Sequence, residues 1–462
     1  MARLLLVFPI LLLFACHNSG EKPTLVYFAG EIVNPTSSHV VLYKNDVVVD
    51  SAILDDKNRF AFNLNEVKEG LYHFDHSPQY QYVYLEHGDS LIIRLNASPE
   101  YFDESLVFSG NGSDINNFMI EMFLAFEDEE PLVYSYYKLH PEEFSKKIDS
   151  LRQMKLDVLN DLVASNELSE GAIKTAKAAI DYNTYLDKEV YPFYHKKKTG
   201  EEVFHELDKE FYAYRKNIDH NNGELAFFRP YYDFMKNHFG NLAYMECYEN
   251  CGMESITAKE RLHYNKHKLG LVDSLVKVED LRNVLFRNIA MDYLLKEHMA
   301  NEDCDKFISK FAQLSNNERH INEINDLYRG IQNLQPESTL PNLEFLNTQG
   351  EKVAVHDIVG KKQTVFYFWS GDQRGHFKNV GKQIQKLKKS HPTHKFVGIN
   401  LHTPHAKWVQ MVREHRMDTL NQFRGEDFEE VQRAFIISSL NKCVIAKDTL
   451  VVDAFANLYT SF

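Results

Sequence analysis

The sequence predicts a multidomain chain with an N-terminal antiparallel β-sandwich, an irregular α-helical middle domain and a C-terminal α/β domain. Short apolar runs that alternate with turn residues fill residues 24–112. Apolar residues at helical spacing fill residues 113–335, and apolar runs alternate with helical segments over residues 342–462. A chain of 462 residues is also too long for one ordinary core, so several domains are expected.

Composition narrows the classes of function. The formal net charge of −14 argues against a nucleic-acid partner, because nucleic acids are bound by basic surfaces. A hydrophobic content of 44% and an aromatic content of 13% are enough for large cores. Five cysteines are few for an exported protein, so any disulfide framework is minimal. We expect no cofactor.

The first residues have the features of an export signal. Arg3 supplies a positive charge, and the apolar run 4–14 follows it. That run is too short to span a membrane as a mature helix. Residues 1–15 are therefore predicted to be a signal peptide outside the mature fold.

The end of this signal resembles a bacterial lipobox, because it reads Leu-Phe-Ala followed by Cys16. In lipoproteins of that type the cysteine is lipidated after cleavage, so the resemblance implies a lipid anchor on Cys16. The alternatives are an ordinary signal peptide that is cut near Ala15, or an uncleaved anchor. Residues 16–23 are predicted to be a polar tether. We therefore expect a cell-envelope protein that is tethered to the membrane, with its soluble body in the periplasm.

Six strands are predicted in the β-sandwich: residues 40–43, 47–52, 60–64, 72–74, 80–85 and 91–95. Strands at this spacing are typical of a sandwich. The segments 84–91 and 108–112, followed by Asn116 and Asn117, resemble a small β-domain (DUF4369-like) of exported lipoproteins of the Bacteroidota type. That resemblance implies no catalytic residue.

The middle of the chain carries helical periodicity, first in Phe144, Ile148, Leu151, Met154, Val158 and Leu162. Its prolines, Pro131, Pro141, Pro192 and Pro230, are each predicted to lie at a helix boundary. Residues 336–341 contain two prolines and are predicted to be a linker. The helical domain is therefore placed at residues 113–335.

The C-terminal part predicts a strand at 365–369, a helix at 378–389, a strand at 396–401 and a helix at 405–415. Short strands at 444–445 and 450–453 complete the pattern. The aromatic strand that ends in Phe368-Trp369, with its Gly-bearing turn and helix, resembles the active-site region of the TlpA/ResA-like thioredoxins. The resemblance implies a thioredoxin-like domain over residues 342–462.

The same resemblance implies a degenerate active site that includes Trp369. The two positions that would hold cysteines in the family hold Gln373 and His376, and no cysteine occurs between Cys304 and Cys443. The position of the family's cis-proline corresponds to Asn441, and no proline follows Pro404. A thioredoxin site needs a thiolate at a helix N-terminus and a second cysteine to resolve the mixed disulfide. We therefore expect this domain to be redox-inactive.

Two residues near this turn have alternative interpretations. His376 is either a surface residue at a turn or a general base or ligand, and no nucleophile with an orienting partner accompanies it in the sequence. Cys443 is either a buried small apolar residue or a reactive thiol near the degenerate site.

A second motif lies in the helical domain. Cys247 and Cys251, followed by His263 and His267, approximate the spacing of a Cys2His2 zinc finger. The cysteines end an aromatic helical segment instead of a β-hairpin, so we expect no metal at these four residues and keep metal binding as a weak alternative. The favoured interpretation is a local Cys247–Cys251 disulfide or two packed thiols.

Two classes of function remain. The leading hypothesis is a non-catalytic binding or scaffold protein that engages a polypeptide partner of unknown identity. The alternative is a thiol–disulfide oxidoreductase of unusual type that uses Cys443 or the Cys247/Cys251 pair. A metal-binding module is the third and weakest hypothesis.

Overall fold

The computed structural model describes residues 24–98, 100–202, 207, 209–253 and 256–462. The described part forms two compact units. Unit 1 contains the described residues up to Ile218 together with Glu224–Phe234, and unit 2 contains Asp219–Gly223 and Met235–Phe462. The two units thus divide the segment that was predicted to be one helical domain, and the predicted domain boundaries stay predictions.

Eight strands open unit 1: β1 (Val26–Val33), β2 (His39–Lys44), β3 (Val47–Ile53), β4 (Arg59–Leu64), β5 (Gly70–His76), β6 (Gln79–Leu85), β7 (Ser90–Asn96) and β8 (Val107–Asn111). They form two four-stranded sheets, in the orders β4-β1-β7-β8 and β3-β2-β5-β6. Each of the six predicted strands overlaps one of these elements. The sequence analysis missed β1 and β8.

The two sheets share one aromatic core, as a sandwich requires. Phe28 of one sheet and Phe74 of the other have ring centroids 5.6 Å apart, and both side chains are fully buried. The prediction of a purely antiparallel sandwich is wrong for one pair of strands. β1 runs parallel to β7, with Phe28 opposite Leu91, because the chain crosses from one sheet to the other before it returns beside β1.

Three long helices follow in unit 1: α1 (Ser113–Tyr136), α2 (Pro141–Ser165) and α3 (Glu170–Thr199). Pro141 occupies the first turn of α2, as predicted, because the missing amide hydrogen is not needed there. The boundary prediction is wrong for Pro131 and Pro192, which lie inside α1 and α3. Pro192 is buried, and burial of its ring offsets in part the hydrogen bond that a proline removes from a helix.

A further helix, α4 (Arg229–Cys251), is divided between the units after Phe234. Unit 2 continues with α5 (Arg261–Leu275), α6 (Glu279–Glu297), α7 (Glu302–Leu314) and α8 (Glu318–Asn333). The side chains of Asn301 and Asn317 cap α7 and α8 by accepting backbone hydrogen bonds.

Unit 2 ends in a seven-stranded mixed sheet. Its elements are β9 (Glu344–Leu346), β10 (Lys352–Ala354), α9 (Val355–Ile358), β11 (Thr364–Trp369), α10 (Arg374–Ser390), β12 (Lys395–Asn400), α11 (His405–Glu414), β13 (Gln422–Gly425), α12 (Phe428–Ala434), β14 (Lys442–Lys447) and β15 (Leu450–Asn457). The strand order is β10-β9-β13-β12-β11-β14-β15. Parallel β11 and β12 are joined through α10, and the antiparallel hairpin β14–β15 lies beside β11. The predicted mixed α/β, multidomain-like architecture is confirmed at this level.

Both tryptophans of the chain are buried in this α/β part. Trp369 and Trp408 have no exposed surface and belong to one apolar cluster with Val380, Leu387 and Phe396. The cluster lies between the sheet and helices α10 and α11. Residues of β11 and of α10 both belong to this cluster, so the cluster holds the start of α10 close to the end of β11.

Among the described residues, no helix is both long enough and apolar enough to cross a membrane. The predicted signal peptide, Cys16 and the predicted tether lie outside the described residues.

Candidate functional site

The candidate site is built where β11 ends and α10 begins. All six residues of β11 are buried, because it is a central strand with β12 on one side and β14 on the other. The turn 370–373 follows, and the backbone carbonyl of Gln373 accepts the first hydrogen bond of α10 from the Phe377 amide at 2.9 Å. The turn therefore places the N-terminus of a 17-residue helix at the carboxyl edge of the sheet.

Two buried polar side chains, Asn400 and Thr403, hold this turn by hydrogen bonds. The Gly371 amide donates to Thr403 Oγ1 at 2.8 Å, and Asn400 Nδ2 donates to the same oxygen at 3.1 Å. A Cβ at Gly371 would lie 2.7 Å from Met411 Sδ, so a larger residue here would require the Met411 side chain to move. The sequence analysis missed Asn400 and Thr403. The signal that could have found them was a polar residue at the end of a largely apolar strand, Asn400, followed three residues later by Thr403.

His376 and Asn441 are brought together across the turn. The half-buried His376 ring lies near the Leu440 backbone and the Asn441 side chain, which act to raise its pKa. Burial outweighs both and lowers the pKa of His376, so the neutral ring is favoured. Neither ring nitrogen has a hydrogen bond of good geometry within the described part of the chain. The predicted counterparts of the second cysteine and the cis-proline are thus neighbours.

Gln373 and Asn441 are exposed. The Asn441 backbone is fixed on both sides, because its amide donates to Ser439 Oγ at 3.2 Å and its carbonyl accepts from the Leu458 amide at 2.9 Å. Across the described ranges the one cis peptide bond is Ser77-Pro78, so the peptide that precedes Asn441 is trans. The loop before β14 therefore differs in backbone from a cis-proline loop.

Trp369 belongs to the core of the domain. Its Nε1 donates to Gln422 Oε1 at 3.1 Å, and Gln422 Nε2 donates to the Tyr367 hydroxyl at 2.8 Å. Its ring packs on Phe377 with centroids 4.9 Å apart. The tryptophan therefore supports the first turn of α10 from below.

Lys442 was not singled out by the sequence analysis, yet it organises the loop opposite α10. Its ammonium group donates to the carbonyls of Phe435 at 2.6 Å and Ile436 at 2.8 Å, and it lies 4.1 Å from the centroid of the Phe455 ring. Burial lowers the pKa of Lys442 to about 7. The lysine ties the segment between α12 and β14 to the end of the sheet.

Cys443 is fully buried in β14, opposite Tyr367 of β11 and Ala456 of β15. Burial is the main cause that raises the pKa of the Cys443 thiol to about 12, and the nearby Asp453 carboxylate adds to it. A thiol in this state is neither ionised nor accessible near neutral pH. The geometry favours the interpretation of Cys443 as a small apolar core residue.

The other three described cysteines are also free thiols. Cys304 is buried in α7, and burial raises its pKa to about 11. Cys247 is buried at the end of α4, beside the exposed Cys251. The structure therefore has two adjacent thiols where the sequence analysis allowed a local disulfide, and it brings His263 to the same place. His267 is instead near Glu246, with Nε2 and Oε2 2.9 Å apart.

These differences in burial predict selective alkylation. In the reduced, folded chain we expect iodoacetamide to modify Cys251 quickly and Cys247, Cys304 and Cys443 slowly, because only Cys251 is exposed. Peptide mapping by mass spectrometry after short exposure would check this. The same chain in denaturant should be modified at all four positions. Fast modification of Cys443 in the folded chain would contradict its assignment to the core.

A groove of about 1010 Å³ lies between α10 and α11 and reaches the turn at Gly371. Partly buried Phe377, Met411 and Met417 contribute apolar surface. Five cationic side chains line the groove against two carboxylates: Lys378, Lys382, Lys388, Lys407 and Arg416 against Glu414 and Asp418. Of the cations, Lys407 is paired with Asp372 at 2.9 Å. The groove therefore combines a basic rim with an apolar floor.

Comparison with known proteins gives similarity to solved structures alone. No family model matches the chain, and no curated protein matches it. The thioredoxin domain of a thiol-disulfide oxidoreductase from Bacteroides vulgatus is 16% identical, covers 26% of this chain and 88% of that chain, and has a TM-score of 0.23. A thiol-disulfide oxidoreductase from Bacteroides fragilis is 18% identical over 25% of this chain and 87% of that chain, with a TM-score of 0.21.

The exposed lipoprotein thioredoxin of Streptococcus pneumoniae is also similar. It is 10% identical, covers 26% of this chain and 93% of that chain, and has a TM-score of 0.21. The similarities thus concern about a quarter of this chain, and at these values they carry nothing about its activity.

Proposed function

We propose that this chain is a cell-envelope binding protein whose thioredoxin-like domain binds a polypeptide without dithiol chemistry. The observation that carries the proposal is the start of α10, where Gln373 and His376 occupy the two cysteine positions and His376 lies near Asn441. An amide and a neutral imidazole cannot form or exchange a disulfide. The turn, the helix and the opposite loop remain, each held by its own hydrogen bonds.

The remaining thiols support the same conclusion. Thiol–disulfide exchange needs an accessible thiolate, and Cys443 offers neither access nor ionisation. Cys443 also lies inside the sheet between Tyr367 and Ala456, so a mixed disulfide there would require the sheet to open. The oxidoreductase alternative then depends on the Cys247/Cys251 pair, which is remote from α10 in the sequence.

The groove between α10 and α11 is the surface that we propose for the partner. Four of its five cations, Lys378, Lys382, Lys388 and Arg416, have no ion-pair partner among the residues that the structure describes. Opposite charges across an interface increase the association rate and select the partner. The partly buried Phe377, Met411 and Met417 can contact apolar side chains between the charges. The partner chemistry that fits is an acidic polypeptide segment with interspersed apolar residues.

Charge reversal in the groove tests this proposal. We expect the variant Lys378→Glu/Lys382→Glu to bind a fluorescent peptide of alternating Glu and Leu residues about tenfold more weakly, which corresponds to about 1.4 kcal/mol. Fluorescence anisotropy at low ionic strength would measure it, and added salt should weaken wild-type binding because exposed charges are screened.

A matched control lies on the same helix. Lys386 and Lys389 are exposed on α10 but do not line the groove, so Lys386→Glu/Lys389→Glu makes the same change in net charge elsewhere. This control should retain most of the affinity. Equal losses in both variants, or no binding by the wild type, would overturn the assignment of the groove.

The membrane anchor is a separate part of the proposal. It depends on the lipobox-like end at Cys16, and the body of the protein would then act in the periplasm. Mass analysis of the membrane fraction should detect a diacylated N-terminal cysteine. A soluble mature chain that begins near residue 16 without lipid would favour the ordinary signal peptide.

A further inference from the structure

The end of α4 and the start of α5 bring three metal-ligating side chains together. Cys247 and Cys251 are one helical turn apart on the same face of α4, and His263 lies in the first turn of α5. One donor atom from each residue lies within 4.8 Å of the other two. In a tetrahedral site with 2.3 Å zinc–sulfur bonds, two sulfurs are about 3.8 Å apart. Side-chain rotations that move the donor atoms by about 1 Å or less would therefore bring the two sulfurs to the separation of a tetrahedral zinc site.

Two contacts next to this cluster hold the two helices in register. The Tyr264 hydroxyl, next to His263, donates to the Gly240 carbonyl of α4 at 3.0 Å. One turn later, His267 Nε2 lies 2.9 Å from Glu246 Oε2. The cluster is therefore adjacent to two contacts that fix α5 against α4. A site that is ordered in this way loses little entropy when an ion binds.

We propose that Cys247, Cys251 and His263 form a binding site for zinc. Two sulfur donors and an imidazole favour zinc over magnesium or calcium, which prefer oxygen ligands. Cys247 is fully buried, while Cys251 and His263 are exposed, so an ion can enter from the solvent side. His267 is engaged by Glu246, which leaves three protein ligands and a fourth coordination position for water.

Binding of zinc converts both thiols to thiolates and releases their protons to solvent, so the step is balanced without an oxidant. The competing fate of the pair is a Cys247–Cys251 disulfide, which would consume the two sulfur ligands. That fate needs an external acceptor for two electrons. The test therefore has to separate the metal-bound chain from the oxidised chain.

Cobalt is a suitable probe, because it takes the zinc geometry and reports thiolate ligands in its absorption spectrum. We expect the full chain, reduced and then freed of metal and reductant, to bind one equivalent of Co²⁺ with thiolate-to-cobalt charge-transfer absorption. One equivalent of Zn²⁺ should then remove that absorption. Absence of the band, or a Cys247–Cys251 disulfide without metal in protein isolated without reductant, would overturn the proposal.

Variants assign the ligands. Cys251→Ser and His263→Ala change exposed residues, and each should weaken zinc binding by at least about 100-fold while the circular dichroism spectrum is retained. His267→Ala is the matched control one helical turn along and should keep the affinity within about threefold. Retained affinity in Cys251→Ser or His263→Ala, or an equal loss in His267→Ala, would overturn the three-ligand assignment. None of these results depends on the groove beside α10.

Discussion

Replacement of Gln373 and His376 together by cysteine is expected to create a disulfide that forms and breaks reversibly. The double variant Gln373→Cys/His376→Cys restores the Cys-x-x-Cys spacing at the N-terminus of α10. The helix dipole at that end stabilises a thiolate and lowers the thiol pKa from about 8.5 toward 7 or below. Incubation in glutathione buffers of graded potential, followed by alkylation and mass analysis, would give the oxidised fraction.

The same chain provides a control for this prediction. Gln385→Cys/Lys388→Cys places two cysteines with identical spacing in the C-terminal part of α10, on exposed positions and away from the helix N-terminus. We expect this pair to lack the lowered pKa and to remain mostly reduced at potentials that oxidise the N-terminal pair. If the N-terminal pair does not oxidise, the start of α10 lacks the proposed geometry. If the wild-type chain already reduces a model disulfide, the proposed function is wrong.

Loss of the Glu189 carboxylate is expected to destabilise unit 1 by about 3–5 kcal/mol. Glu189 of α3 is fully buried and accepts two hydrogen bonds from Arg215, with Nε to Oε1 at 2.9 Å and Nη2 to Oε2 at 2.5 Å. Glu189→Ala would remove the carboxylate that pairs with the largely buried guanidinium. Urea denaturation followed by far-ultraviolet circular dichroism should show the lower midpoint of the first transition.

Two further variants separate charge from packing in this prediction. The double variant Glu189→Leu/Arg215→Met removes both charges and should recover most of the lost stability, because paired burial of apolar groups is often neutral. Lys174→Gln on the same helix breaks the exposed Glu170–Lys174 pair and should leave the midpoint unchanged. A midpoint in Glu189→Ala that equals that of Lys174→Gln would show that the buried pair is not needed.

Periodicity located several elements of the α/β part but missed β13 and α12. The strand at 365–369 and the helix at 378–389 lie within β11 and α10, since an apolar run and a helical stripe are local signals. Local signals failed at β1, where Gly30 and Glu31 interrupt an apolar run. They also failed at Pro131 and Pro192, which lie inside helices despite the helix-breaking preference of proline.

The candidate site could be predicted only in part for the same reason. The start of α10 was visible in the sequence, since it depends on neighbouring residues, and so was the absence of cysteine between Cys304 and Cys443. The Lys442 ammonium, by contrast, acts on carbonyls six and seven residues earlier and on the Phe455 ring of another strand. The finger-like spacing grouped both His263 and His267 with the two cysteines, but the packing of two helices brings His263 to them and His267 to Glu246.

The burial of both tryptophans gives this protein a built-in optical reporter. All indole emission must come from Trp369 and Trp408, and both are fully shielded from water inside the α/β part of unit 2. Indole fluorescence shifts to longer wavelength when water reaches the ring. Unfolding of the α/β part of unit 2 can therefore be followed by the wavelength of the indole emission maximum, without any label. Unfolding that is confined to the β-sandwich should leave that wavelength unchanged.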